Sequence, residues 1–171
     1  MSNVIVYFAY EGENNWSGDS SDRSGSSTKA LAEQIQKAVG GPILQIERQN
    51  PYSLDFEQVM AEARQELDDG VRPAIVALPD LEDYDTVFIG FPIWFGTMPT
   101  PVFSFLDGED LAGKKVAPFC TNEGSEIGRA EADLKALCPD SVVCRGLAVA
   151  GNDVATSGEK IDHWAHRVLE R

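Results

Sequence analysis

Short apolar runs alternate with amphipathic stretches along the whole chain, and this alternation limits the fold more than any other feature. Val4–Phe8 is apolar without a break, as in a strand covered on both faces. A helix is predicted from near Ser27, where Leu31, Ile35, Ala38 and Val39 share one face. Gly40-Gly41-Pro42 stops it. Ile43–Ile46 reads as a short second strand. Phe56, Val59, Met60, Ala63 and Leu67 mark a second helix that ends at Gly70. A third strand is expected over Thr86–Phe91, a short helix from around Pro101, and a fourth strand over Lys115–Thr121. A helix near Ile127–Leu137 and a fifth strand over Val142–Val149 follow. Ile161, Trp164, Ala165, Val168 and Leu169 give the last helix its apolar stripe. Strands joined by helices pair in parallel through right-handed crossovers. The prediction is one α/β domain spanning residues 1–171, a doubly wound five-stranded parallel sheet. Residues 10–25, rich in Ser, Gly and acids, form a long insertion in the first strand-to-helix loop.

The formal net charge is −14. It argues against nucleic acid and anionic membrane surfaces as partners and permits steering toward a basic protein face. Simple solubility is the blander account. Met1-Ser2-Asn3 leads straight into a strand, with no signal-like segment and no apolar window of membrane-spanning length, so a cytoplasmic protein is expected. Cys120, Cys138 and Cys144 are odd in number and lack CxxC spacing, which fits reduced structural thiols. His163 and His166 have no Cys or third His nearby and are read as solvent-facing, so no metal site is expected.

In a doubly wound sheet, ligands bind beyond the carboxyl ends of the strands where the connections reverse direction. Three loops reach that rim. The first closes on Gly25, Ser26, Ser27 and Thr28 at a helix start, where free amides and hydroxyls suit a single phosphate. It carries no G-K-[ST] and no GxGxxG. The alternative is that Ser26 or Ser27 is simply an N-cap. The second loop is Pro92, Ile93, Trp94, Phe95, Gly96 and Thr97. Its Trp94 suits a planar ring, with Gly96 and Thr97 offering polar contacts to the ring edge. The alternative is that Trp94 and Phe95 pack on a neighbouring helix. The third loop offers Thr121, Asn122, Glu123 and Gly124 to the opposite edge of such a ring.

On these residues the chain resembles the flavodoxins. The resemblance is carried by Val4–Phe8, by Ser26-Ser27-Thr28-Lys29-Ala30-Leu31-Ala32-Glu33, by Asp83-Tyr84-Asp85-Thr86-Val87-Phe88-Ile89-Gly90-Phe91-Pro92-Ile93-Trp94-Phe95-Gly96, and by Pro118-Phe119-Cys120-Thr121 with Gly124 and Gly128. It implies the flavodoxin-like strand order 2-1-3-4-5 and bound FMN. It also implies a phosphate held by Gly25 to Thr28, a flavin flanked by Pro92 to Thr97 with Trp94 against its face, and a pyrimidine side lined by Thr121 to Gly124. Two departures stand out. Ala9 occupies the place where the family's loop begins with a hydroxyl residue, and Ser27 stands where this branch commonly has asparagine.

No Ser-His-Asp, Cys-His or paired-carboxylate constellation is present in the sequence pattern. The expected role is that of an FMN flavoprotein in electron transport, exchanging electrons with a redox partner that presents a basic docking face. The alternative is an FMN-dependent oxidoreductase that takes hydride from NAD(P)H and reduces a quinone-type acceptor. A flavin-free binding module is the third reading. Trp16 of the insertion is a candidate cover for the cofactor. Glu11, Glu13, Asp19 and Asp22 are expected to face outward, with Arg23 as a counter-charge.

Overall fold

Residues 2–10, 27–122 and 126–170 are described by the computed structural model. Glu11 to Ser26, Glu123 and Gly124, to which the sequence assigns expected roles, lie outside them. The elements run β1 (Asn3–Phe8), α1 (Ser27–Val39), β2 (Ile43–Ile46), α2 (Phe56–Asp69), β3 (Thr86–Pro92), α3 (Thr100–Gly108), β4 (Lys115–Asn122), α4 (Ala130–Leu137), β5 (Val142–Val143), β6 (Leu147–Ala150), a 3-10 helix (Gly151–Thr156) and α5 (Gly158–Leu169). The strands pair in parallel in the order β2-β1-β3-β4-β5, as the flavodoxin resemblance implies, and β6 also pairs with β4.

The unbroken apolar runs are explained by burial on two faces. Val4, Val6 and Phe8 of β1 point into one core with Val59 and Ala63 of α2, Val102 and Phe105 of α3 and Leu134 of α4. Ile5 and Tyr7 point into the other, with Leu31 and Ile35 of α1 and Ile161, Ala165 and Val168 of α5. Successive side chains of a strand face opposite ways, so a strand between two helical layers has no polar side. Gly90 of β3 lies under the ring of Phe119, and a Cβ there would come within 2.1 Å of that ring.

Two predictions needed correction. The fifth strand is not continuous over Val142–Val149: it breaks into β5 and β6. Val116 pairs with Val143 and Phe119 with Leu147. Three steps along β4 (119 − 116) thus face four along the partner (147 − 143), which is one extra residue, as in a bulge. Pro118, which has no amide hydrogen to donate, sits in β4 within that gap. The stripe on α2 also differs: Phe56 is exposed, whereas Glu66 is buried beside Val59 and Ala63. Asp55 caps this helix by accepting from the Gln58 amide, and Gly70 ends it at φ 67°.

At one edge of the sheet, β2 is prolonged by an antiparallel bridge between Arg48 and Ile75, with Gln49 donating to the Ala74 carbonyl and Val76 to that of Glu47. No helix among the described residues is long and apolar enough to cross a membrane.

Candidate functional site

β1, β3 and β4 lie side by side and in parallel, so their carboxyl ends open onto one rim of the sheet. Loop one returns to that rim at Ser27 and Thr28, both buried in the first turn of α1. That turn carries no acidic side chain, so the positive end of the helix dipole is not offset from within it. The Thr28 and Thr121 hydroxyls are 2.8 Å apart in a buried hydrogen bond. The Ile93 amide donates to the Thr121 carbonyl at 2.9 Å. Through Thr121, the start of α1, the end of β4 and the loop after β3 are joined directly.

The loop after β3 is a tight turn. Trp94 and Thr97 exchange backbone hydrogen bonds of 2.9 and 3.2 Å, with Phe95 at φ 55° and Gly96 at φ 80°. Positive φ at both central positions matches a type I′ turn. A bulky residue such as Phe95 adopts that region only where its surroundings enforce it, and the enforcing contacts come from the segment before α4. Arg129 donates its amide to the Gly96 carbonyl at 2.7 Å. Gly128 packs so closely that a Cβ would stand 2.3 Å from the same oxygen. The Thr97 hydroxyl donates to Asp133 of α4 at 2.5 Å. Phe95 itself is exposed and lies beneath the Arg64 guanidinium, 5.3 Å from ring centre to Cζ.

Trp94 lies elsewhere than on an open surface. It is 4% exposed and meets Phe8, Tyr10 and Tyr52 edge-on, with ring centres 5.6, 5.8 and 5.7 Å away. Its ring neighbours lie on β1 and just after it, and in the segment before α2, and it shares one core cluster with Val102 and Phe103 of α3. Of the other residues singled out, Pro92, Thr97, Thr121 and Asn122 are buried at the rim and Ile93 is half-buried.

Sequence reasoning missed the buried network behind this aromatic group. Glu66 accepts from Arg48 Nη2 at 2.8 Å, from the Tyr52 hydroxyl at 2.5 Å and from Thr100 Oγ1 at 3.0 Å. The Arg48 guanidinium also lies over the Tyr52 ring at 4.3 Å. Burial, followed by the hydrogen bond to Glu66, holds the Tyr52 hydroxyl well above the ordinary tyrosine range. One signal was available: Glu66 stands seven residues after Val59, on the same helical face.

Cys120, next to Thr121, is fully buried. Burial, and secondarily the negative charge of Glu126, push its thiol up to about 12. The folded chain therefore keeps this proton to higher pH than the unfolded chain, whose thiol titrates near 9.0. The resulting stability is complete below pH 9 and is lost as pH rises toward the folded value. At a pH of about 10.5 the loss is on the order of 2 kcal/mol. Urea denaturation of wild type and Cys120→Ala at pH 8 and at the higher pH measures it. An equal loss in both proteins would assign the alkaline weakness to the tyrosines instead.

The chain matches the flavodoxin family model over residues 21–168. It belongs to the flavodoxin family. Among solved structures, this flavodoxin-family protein is similar to a flavoprotein candidate from Bacteroides eggerthii DSM 20697. The two are 30% identical over 94% of this chain and 97% of the other, with a TM-score of 0.72. A second flavoprotein candidate, from Bacteroides uniformis ATCC 8492, is 29% identical over 95% and 96%, with a TM-score of 0.76. A flavoprotein from Lactobacillus acidophilus NCFM, solved in complex with FMN, shares the fold at 22% identity over 91% and 97%, with a TM-score of 0.65. Comparison with curated proteins gives no match.

Proposed function

We propose that this flavodoxin-family protein binds FMN at the carboxyl ends of β1, β3 and β4 and carries electrons to and from a partner protein with a basic docking face. The observation that carries this reading is the Thr28–Thr121 hydrogen bond. It holds a hydroxyl-bearing helix start against the two loops suited to a planar ring. The family match and the FMN complex of the Lactobacillus acidophilus protein support the choice of cofactor.

The residues present fit that cofactor. Ser27 and Thr28, with Gly25 and Ser26 before them, would hold the phosphate at an N-terminal turn free of acidic side chains. Pro92 to Thr97 would flank one side of the ring, and Thr121 to Gly124 the other. Bound FMN supplies the redox chemistry. The chain sets the surroundings. Asp133, bonded to Thr97, and Glu126, whose charge reaches Cys120, add negative charge beside these loops. Such acids oppose further negative charge in the site and lower the potential at which it is accepted. Acids within about 8–10 Å matter most, because salt screens the remainder.

The purified protein is expected to be yellow with a flavin absorption spectrum, and stripped protein to take up one FMN per chain in a fluorescence titration. A colourless protein that takes up no added FMN would remove this reading. A second reading, reduction of a small acceptor at the expense of NAD(P)H, is favoured by an open cleft of about 490 Å³ beside the aromatic group. Turnover of NAD(P)H and a quinone without any partner protein separates the two.

A further inference from the structure

A type I′ turn needs positive φ at both central positions, a shape glycine adopts without strain. Here the first central residue is Phe95, at φ 55°. Its ring is exposed, so burial of that ring does not enforce the shape. The restraint comes from across the rim, where α4 begins. The Gly96 carbonyl accepts from the Arg129 amide at 2.7 Å, and Gly128, itself at φ 57°, lies against the same oxygen. Thr97 is fully buried, and its hydroxyl donates to the Asp133 carboxylate at 2.5 Å. The Asp133 amide in turn donates to the Arg129 carbonyl at 2.9 Å. The two anchors are therefore one helical turn apart on a rigid element, and they grip successive residues of the loop.

We propose that α4 preforms the turn after β3, and that Asp133 is a positioning residue for the flavin ring through its bond to Thr97. This inference rests on the FMN reading, in which Pro92 to Thr97 flank the ring. A loop held in its bound shape beforehand loses less freedom when the ligand arrives. Without the carboxylate, the Arg129 amide would hold Gly96 alone, and Phe95 could relax toward the negative φ that L residues favour. The same carboxylate also places a charge beside the loop, and chemistry separates the two roles. Asparagine keeps an acceptor oxygen and loses the charge, whereas alanine keeps neither. Valine at position 97 removes the donor and leaves the Asp133 charge in place.

Amide hydrogen exchange, followed by NMR on the flavin-free chain, reads the turn directly. Asp133→Ala and Thr97→Val should each speed exchange at the Thr97 and Arg129 amides about tenfold relative to amides of β1, which report global opening. FMN and riboflavin are then titrated separately into each protein. Both variants should bind FMN about tenfold more weakly than wild type does. Riboflavin affinity should fall by the same factor, because the phosphate end is untouched. Asp133→Asn should recover most of the loss. Asp133→Asn as weak as Asp133→Ala would assign the effect to charge and overturn the proposal. So would a loss confined to FMN, or unchanged exchange at the two amides. Variants that bind both flavins as wild type does would end this role alone. Wild type that takes up neither flavin would end the FMN reading and this role with it.

Discussion

Glu66→Ala will destabilise the fold by about 3–5 kcal/mol, the range found when one member of a buried ion pair is removed. The cause is what remains behind. Arg48, with a side chain 16% exposed, would keep its charge with only the half-exposed Glu62 as a partner. The Tyr52 hydroxyl would lose its acceptor, and Thr100 would be left with Tyr52 at 3.3 Å. Replacing both charged residues, as in Arg48→Met with Glu66→Leu, should cost less than Glu66→Ala alone, because no charge is then stranded. Urea denaturation measures both, provided the slope is unchanged. A loss below about 1 kcal/mol for Glu66→Ala would show that water reaches the guanidinium and that the network is a surface pair in effect. The functional reach of this network runs through geometry. Thr100 opens α3 directly after the loop at the rim, and Tyr52 touches Trp94. Disturbing Glu66 therefore loosens both the end and the middle of that loop.

Trp94→Ala will lower stability by about 3–5 kcal/mol, the usual cost of removing a large aromatic from a core. Three edge-to-face contacts disappear with it, each of a kind that contributes about 0.5–1.5 kcal/mol beyond burial. FMN affinity is expected to fall as well, because Trp94 anchors the turn that is proposed to flank the flavin. The two effects can be separated. Trp94→Phe keeps an apolar ring in the core and should recover most of the stability while recovering less of the affinity. If FMN titrations give the same affinity for wild type, Trp94→Phe and folded Trp94→Ala, the indole is a pillar of the core and does not touch the cofactor.

Much of this was legible in local patterns. The run Val4–Phe8 announced a strand buried on both sides, and the stripe from Leu31 to Ile35 announced the helix that covers it. The rim followed from topology alone, since parallel strands with crossover helices place their loops at one end. The burial of Trp94 was not legible, because the choice between a face toward a ligand and an edge toward Phe8, Tyr10 and Tyr52 rests on residues up to 86 positions apart (94 − 8). The Arg48–Glu66–Tyr52–Thr100 network was hidden for the same reason: it joins a strand extension, a helix, a loop and another helix. The break between β5 and β6 was foreshadowed by Pro118, but on the neighbouring strand, where reading one segment at a time does not look.

That break has a consequence for the molecule in company. An exposed outer strand is a template on which a second chain can lengthen the sheet. Here one margin is kinked by the additional residue between Val143 and Leu147, and the other is capped by the hairpin-like return at Ala74 to Val76. Among the described residues neither side offers a long straight ladder of open amides, and like charge between copies adds repulsion at −14 per chain. A protein held at high concentration would thereby resist growing into fibrils.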